Sequence, residues 1–405
     1  MKGKKAMISA EYSGQSFRNE LCEHIIPFWS SLKDEKNGGF CGYVGYNLER
    51  DFFADKGCIL HSRILWFFSN AYMLLGDEKL LDNAKHAYQF ISEHCLDNEL
   101  GGIFWTVTYD GRPADTTKHT YNQAFAVYAL SSYSIASGDK SALEKAKKIY
   151  DIIESRCKDS GGYLEAFTRQ WNTESNEKLS ENGVMASRTM NTLLHVIEAY
   201  TELLRAERSE NVAASLKAAL DAVAEKIYNP SKKRLDVFFD METRPIIDLH
   251  SYGHDIEAAW LLGRACQVLD DEITSARLRT ICDSLEDNIL SCAFTGECLL
   301  NECCEGEVND LRVWWVQCEA VISFYNAWQK HPEREDYLAA SKAVWSFTME
   351  HVIDKRPGGE WYSQLLSSNV PDADKETVGE WKCPYHNGRM CIEMLRRISG
   401  EQKPF

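Results

Sequence analysis

A Gly-Gly pair followed by an aromatic or large apolar segment recurs along the chain, and its spacing constrains the fold more than any other feature. It occurs as Gly38-Gly39-Phe40, Gly101-Gly102-Ile103-Phe104-Trp105, Gly161-Gly162-Tyr163 and Gly358-Gly359-Glu360-Trp361. The first three copies are 63 and then 60 residues apart, and the gap of 197 from Gly161 to Gly358 spans about three more periods. Degenerate copies are expected near residues 230 and 295, where Asn229-Pro230-Ser231 and Thr295-Gly296-Glu297 are rich in turn formers. Self-similarity at this period marks a repeat architecture. The 405 residues therefore read as about six units of 60–70 residues in one domain spanning 1–405, although length alone would suggest two or three domains.

Each unit carries two helical patterns. They fall near 14–33, 60–77, 79–96, 119–137, 140–157, 187–205, 209–227, 253–268, 271–291, 311–330, 334–352 and 385–398. The two patterns differ in character. Segment 60–77 is apolar nearly all round (Ile64, Leu65, Trp66, Phe67, Phe68), as a helix buried on every side must be. Segment 79–96 shows one stripe, Leu80, Ala84, Ala87 and Ile91, with charges elsewhere, which is the pattern of a helix with one face in solvent. An inner ring of buried helices within an outer ring of amphipathic ones is an all-α (α/α)6 barrel of six helical hairpins. Strand-like residues such as Ile103–Tyr109 beside the glycines predict short β-hairpin loops at one end.

Composition excludes several classes. A net charge of −16 disfavours nucleic-acid binding, which needs basic surface. No apolar run approaches the roughly 18 residues of a membrane span, and no apolar segment of the secretory type follows the basic N-terminus. The fourteen cysteines include no C-x-x-C pair and read as reduced thiols of a cytoplasmic protein. Neither nucleic acid nor membrane is an expected partner, and the chain is expected to be a monomer.

Reactive side chains cluster at the starts of the inner helices: His61 and Arg63; His119, Tyr121 and Asn122; Asn191 and His195; His250, His254 and Glu257; Arg312, Trp315 and Glu319; Trp381, His386 and Arg389. In a barrel of alternating helices these starts share one end, so six of the eleven histidines are expected to converge on one pocket. The other five, His24, His86, His94, His331 and His351, fall on outer helices or turns. Two histidines of near-neutral pKa suit acid and base catalysis on opposite faces of one carbon. Glu257, one turn from His254, is placed to orient it, and Arg63 to hold a developing enolate oxygen. Trp315 and Trp381 offer faces for sugar rings. Zinc at His254 and Glu257 with His250 or His195 is the competing reading, but no H-E-x-x-H occurs and Arg63 disfavours a cation, so no metal is expected. No nucleotide fingerprint and no G-x-S-x-G elbow is present.

With these residues in view, the chain resembles the N-acylglucosamine 2-epimerase superfamily, most closely its cellobiose 2-epimerase branch. The matching segments include His61-Ser62-Arg63-Ile64-Leu65-Trp66-Phe67, His250-Ser251-Tyr252-Gly253-His254-Asp255-Ile256-Glu257, Val313-Trp314-Trp315-Val316-Gln317 and Trp381-Lys382-Cys383-Pro384-Tyr385-His386-Asn387-Gly388-Arg389. The resemblance runs from about Phe17 to Arg397. It implies a cofactor-independent reaction that opens the reducing-end sugar ring, removes the carbon-2 proton and returns it on the other face of a cis-enediolate. It further implies His254 and His386 as the catalytic pair, Arg63 as the oxyanion holder, His195 as a third important histidine beside Asn191, Glu257 as the partner of His254, and Glu319 as another essential carboxylate. Tyr121, Trp315 and Trp381 become pocket and stacking positions. Trp361 and Trp381 near the rim favour a disaccharide substrate, with epimerisation of the reducing-end glucose in β-1,4-linked disaccharides as the expected activity. An aldose–ketose isomerase or a monosaccharide epimerase shares this chemistry. A glycoside hydrolase using Glu257 and Glu319 and a non-catalytic carbohydrate-binding protein are the readings from other classes.

Overall fold

The computed structural model describes residues 12–180 and 182–401, which form twelve helices in two concentric rings. The outer ring begins with α1, three consecutive segments at Gly14–Asn19, Glu20–Ile25 and Ile26–Ser30, the middle one a π-helical turn. The inner α2 is Cys58–Leu75. Then α3 (Glu78–Phe90, outer) and α4 (Thr120–Ser137, inner) are followed by α5 (Lys140–Arg156, outer) and α6 (Met190–Ala206, inner). The remaining helices are α7 (Glu210–Ala222), α8 (Tyr252–Leu269), α9 (Glu272–Cys292), α10 (Trp314–Lys330), α11 (Glu335–Phe347) and α12 (Tyr385–Ile398), even numbers inner. The expected (α/α)6 barrel is the observed one. No helix of the described residues is long and apolar enough to cross a membrane.

Local chemistry explains how the α2–α3 and α4–α5 hairpins turn. Gly76 and Gly138 end α2 and α4 in the left-handed conformation that glycine adopts without strain, at φ 70° and 75°. The next residues, Asp77 and Asp139, accept the N–H groups of Lys79 and Ser141 and so start the outer helices. Every one of the first fourteen residues of α2 is buried, while α3 buries Leu80, Ala84 and Ala87 and leaves its charges outside.

The β-hairpin loops build a second ring at the active-site end. The strand that leads into each inner helix pairs with the following repeat: Lys56–Gly57 with Thr106–Val107, Lys118–His119 with Ala166–Phe167, and Arg188–Thr189 with Phe238–Phe239. Leu249–Ser251 then pairs with Glu302–Cys304, and Arg312–Val313 with Gln364–Leu365. A bridge between Val378 and Val44 closes the circle.

The glycine turns are locked by a recurring strut. The fourth residue of four inner helices reaches the backbone just after a turn: the Phe40 N–H donates to His61 Nε2 at 2.9 Å, Ile103 to Gln123 at 2.8 Å, Leu235 to Asp255 at 3.2 Å and Leu299 to Gln317 at 2.9 Å. Buried cations reinforce them, with Lys56 on Asp34 at 2.8 Å and Lys118 on Asp97 at 2.9 Å. Both degenerate copies are real turns, at Tyr228–Leu235 and at the Phe294–Leu299 bridge.

Candidate active site

Helical periodicity puts the second and sixth residues of each inner helix on one face, four apart. That face points into the barrel. The sixth positions are Arg63, Phe125, His195, Glu257, Glu319 and Met390; the second positions include Tyr121, Asn191, Trp315 and His386. Seven of these, Arg63, Tyr121, Asn191, His195, Glu257, Trp315 and His386, line a cavity of about 350 Å³ together with His254 and Trp381. Nine of the eleven residues expected at the site therefore meet in one place.

The two exceptions have physical reasons. Trp361 does not reach the cavity: it is fully buried behind the Gly358-Gly359 turn, where its Nε1 donates to Glu20 at 2.7 Å and its ring centre lies 6.5 Å from that of Trp345. Glu319 lies beneath the cavity wall, fully buried, and acts on His386 rather than facing the pocket. Of the six histidines expected to converge on one pocket, only His195, His254 and His386 line the cavity, and the other three have structural tasks. His61 is the strut of the first turn, His250 donates Nε2–H to Asp255 at 2.9 Å, and His119 packs on Trp105 at 4.8 Å.

His386 and His254 both contact the Trp315 ring, at centroid distances of 5.4 and 4.8 Å. His386 donates Nδ1–H to Glu319 at 2.8 Å, which leaves the Nε2 lone pair for the cavity. His254 engages Ser251 Oγ through Nδ1 at 2.7 Å. Glu257 does not bond His254, contrary to expectation; its partner is Arg389. Burial holds His254 down at about 3, and burial with Arg389 and Arg63 nearby holds His386 well below the usual imidazole value, so both rest neutral. His195 donates Nδ1–H to Glu198 at 2.9 Å and is likewise lowered by burial.

Arg63 is the unusual cation. It is 2% exposed, yet among the described residues it pairs with no carboxylate. It donates to the Tyr121 hydroxyl at 2.7 Å and to the Trp381 carbonyl at 3.4 Å, and its guanidinium lies 4.2 Å from the Phe125 ring centre. Burying an uncompensated charge is expensive unless a ligand supplies the counter-charge.

Arg389 is the opposite case, and sequence reasoning left its role unread. Fully buried, it donates through Nη1 to Glu198 at 2.6 Å and through Nη2 to Glu319 at 2.7 Å and to Glu257. Against the effect of burial, Arg389, His195 and Tyr385 hold Glu198 ionised, down to about 2. Burial, then the neighbouring Glu319, push Glu257 up to about 8, with Arg389 opposing. Glu198, Tyr385 and Ser251 were also missed. Glu198 sits three residues after His195 on the same helix face, a spacing that was available as a signal. Glu257, Glu319 and His386 bring one ligand atom each within 4.8 Å of one another, a spacing that suits a divalent ion. The Arg389 guanidinium already bonds both carboxylates and supplies the positive charge there.

Comparison with known proteins gives the family. The family model described as N-acylglucosamine 2-epimerase matches residues 39–388. The cellobiose 2-epimerase of Ruminococcus albus is 54% identical over 380 residues, 94% of this chain and 97% of that protein. A crystal structure of a sugar epimerase from a ruminal bacterium matches with a TM-score of 0.93 at 53% identity, covering 95% of this chain and 98% of that one. The cellobiose 2-epimerase of Bacillus thermoamylovorans matches with a TM-score of 0.92 at 42% identity, covering 95% and 99%. The chain belongs to the N-acylglucosamine 2-epimerase family and is an enzyme of the isomerase class.

Proposed function

We propose that the protein epimerises the reducing-end glucose of β-1,4-linked disaccharides at carbon 2, converting cellobiose to glucosyl-mannose and lactose to epilactose. The observation that carries this reading is the pair of neutral imidazoles, both in contact with Trp315, lining one cavity with the carboxylate-free Arg63. One histidine removes the carbon-2 proton, Arg63 balances the oxygen charge of the cis-enediolate, and the other histidine returns the proton on the opposite face. His386 has the tautomer of a base, because Glu319 accepts its Nδ1–H. Ser251 donating to His254 Nδ1 leaves Nε2–H as the acid; the forward step leaves His386 holding the carbon-2 proton and His254 one proton short, and the return reaction runs the same two transfers backwards. Glucose ring stacking falls to Trp315 and Trp381. The relatives named as cellobiose 2-epimerases support cellobiose as a substrate.

A hydrolase needs two carboxylates free to serve acid and base or nucleophile roles. Glu319 is sealed from the cavity, so Glu257 has no second carboxylate of that pair to work with, which disfavours that alternative. Incubation with cellobiose in heavy water tests the proposal. Deuterium at carbon 2 of both epimers with intact glycosidic bonds is expected; free glucose, or no exchange at all, overturns it.

A further inference from the structure

The three carboxylates around Arg389 are not equivalent. Glu319 has both oxygens engaged: Oε1 accepts from His386 and Arg389, and Oε2 accepts from Trp260 Nε1 at 2.9 Å. Glu198 accepts from His195, from the Tyr385 hydroxyl at 2.6 Å and from Arg389. Both are surrounded by donors, as anions are. Glu257 has one hydrogen-bond partner among the described residues, Arg389, and it alone of the three lines the cavity.

Glu257 and Glu319 also share one nitrogen, Nη2 of Arg389. Two buried carboxylates this close do not both ionise, and one keeps a proton. The donors on Glu319 assign the proton to Glu257. The groups packed around Glu257 are consistent with that: Glu198 and His195 from α6, Glu319 from α10, Arg389, Tyr385 and His386 from α12, Tyr121 from α4, Arg63 from α2, and His254 on its own helix.

We infer that Glu257 is held as a carboxylic acid and protonates the ring oxygen of the bound sugar while His195 takes the proton of the anomeric hydroxyl, an inference that rests on the sugar-epimerase reading above. In this step the bond between carbon 1 and the ring oxygen breaks and the carbon 1–oxygen 1 double bond forms. The hydroxyl proton passes to His195 Nε2, the nitrogen left free by the Glu198 bond, and the Glu257 proton passes to the ring oxygen. The resulting Glu257 anion and His195 cation offset each other. Ring closure on either epimer returns both protons. Ring opening and carbon-2 transfer thus use separate pairs of residues.

The test compares wild type with Glu257→Gln, which keeps a neutral side chain on Arg389 but carries no acidic proton. The wild type should accelerate interconversion of the anomers of freshly dissolved α-lactose, followed by NMR, and Glu257→Gln should lose that acceleration by about 10²-fold. Infrared spectra of wild type should show a protonated carboxyl band near pH 7 that is absent from the variant and that disappears in wild type by about pH 9. The titration in wild type needs no folded variant. Glu257→Gln should keep the wild-type melting temperature, whereas Glu198→Gln should lower it. Absence of the band, or unchanged anomer interconversion in folded Glu257→Gln, overturns the inference. If the band and the anomer effect appear but cellobiose takes up no deuterium at carbon 2, this inference stands and the epimerase reading falls.

Discussion

His386 and Arg389, one helical turn apart on α12, bond the same oxygen of Glu319, at 2.8 and 2.7 Å. One carboxylate therefore fixes the imidazole tautomer while its own charge is balanced by the guanidinium. Glu319→Gln removes that fixed acceptor and lets the ring adopt the wrong tautomer. Turnover should fall on the order of 10³- to 10⁴-fold with substrate affinity little changed. Steady-state kinetics with cellobiose check it; a loss confined to KM would contradict the tautomer argument.

Arg63 and Arg389 should respond oppositely to removal. No buried carboxylate depends on Arg63 among the described residues, so Arg63→Ala strands no anion and stability should stay within about 1 kcal/mol of wild type. Activity should drop about 10²- to 10³-fold, as when an oxyanion donor is lost. Arg389→Ala strands the buried anions Glu198 and Glu319 and should cost about 3–5 kcal/mol. Urea unfolding of both variants, with activity assays on Arg63→Ala, separates the two roles. Equal destabilisation would refute the distinction.

Gly253 makes room for Trp315. A Cβ at this position would lie 2.4 Å from the indole ring of Trp315, too close for any real contact. Gly253→Ala should keep the fold but displace the ring that both histidines contact. KM for cellobiose should rise about tenfold or more, and Trp fluorescence should shift. Unaltered kinetics would show that the ring tolerates movement.

Buried neutral histidines make the fold acid-sensitive. An unfolded chain takes up protons at 6.5, whereas folded His254 does so only at about 3. The folded pKa is depressed, so the stability is present above 6.5 and is lost as pH falls from 6.5 toward 3. Each excluded proton contributes a slope of about 1.4 kcal/mol per pH unit. His254→Asn should flatten the melting temperature measured across that window; an unchanged slope would count against a neutral His254.

Much of this was legible in the sequence. The six periods, the alternation of inner and outer helices and most of the cavity follow from local pattern, because burial on every side demands apolar residues on every side. Arg389 shows where local pattern fails: its partners Glu198, Glu257 and Glu319 are 191, 132 and 70 residues away, and no spacing rule links them. His61 and His250 look like catalytic histidines because a strut and a catalyst need the same polar ring at the same end of a helix. Only the bonds made by the second ring nitrogen and by neighbouring turns tell them apart. Trp361 was misread for a similar reason, since a rim aromatic and a turn plug both follow a Gly-Gly pair.

The bridge from Val44 to Val378 leaves the ring of hairpins without a first or last member. Mechanical load on any one loop is therefore shared by its neighbours in both directions, as in a hoop rather than a stack. A cut in an outer turn such as Gly138-Asp139 would leave all five inter-repeat ladders and the bridge in place.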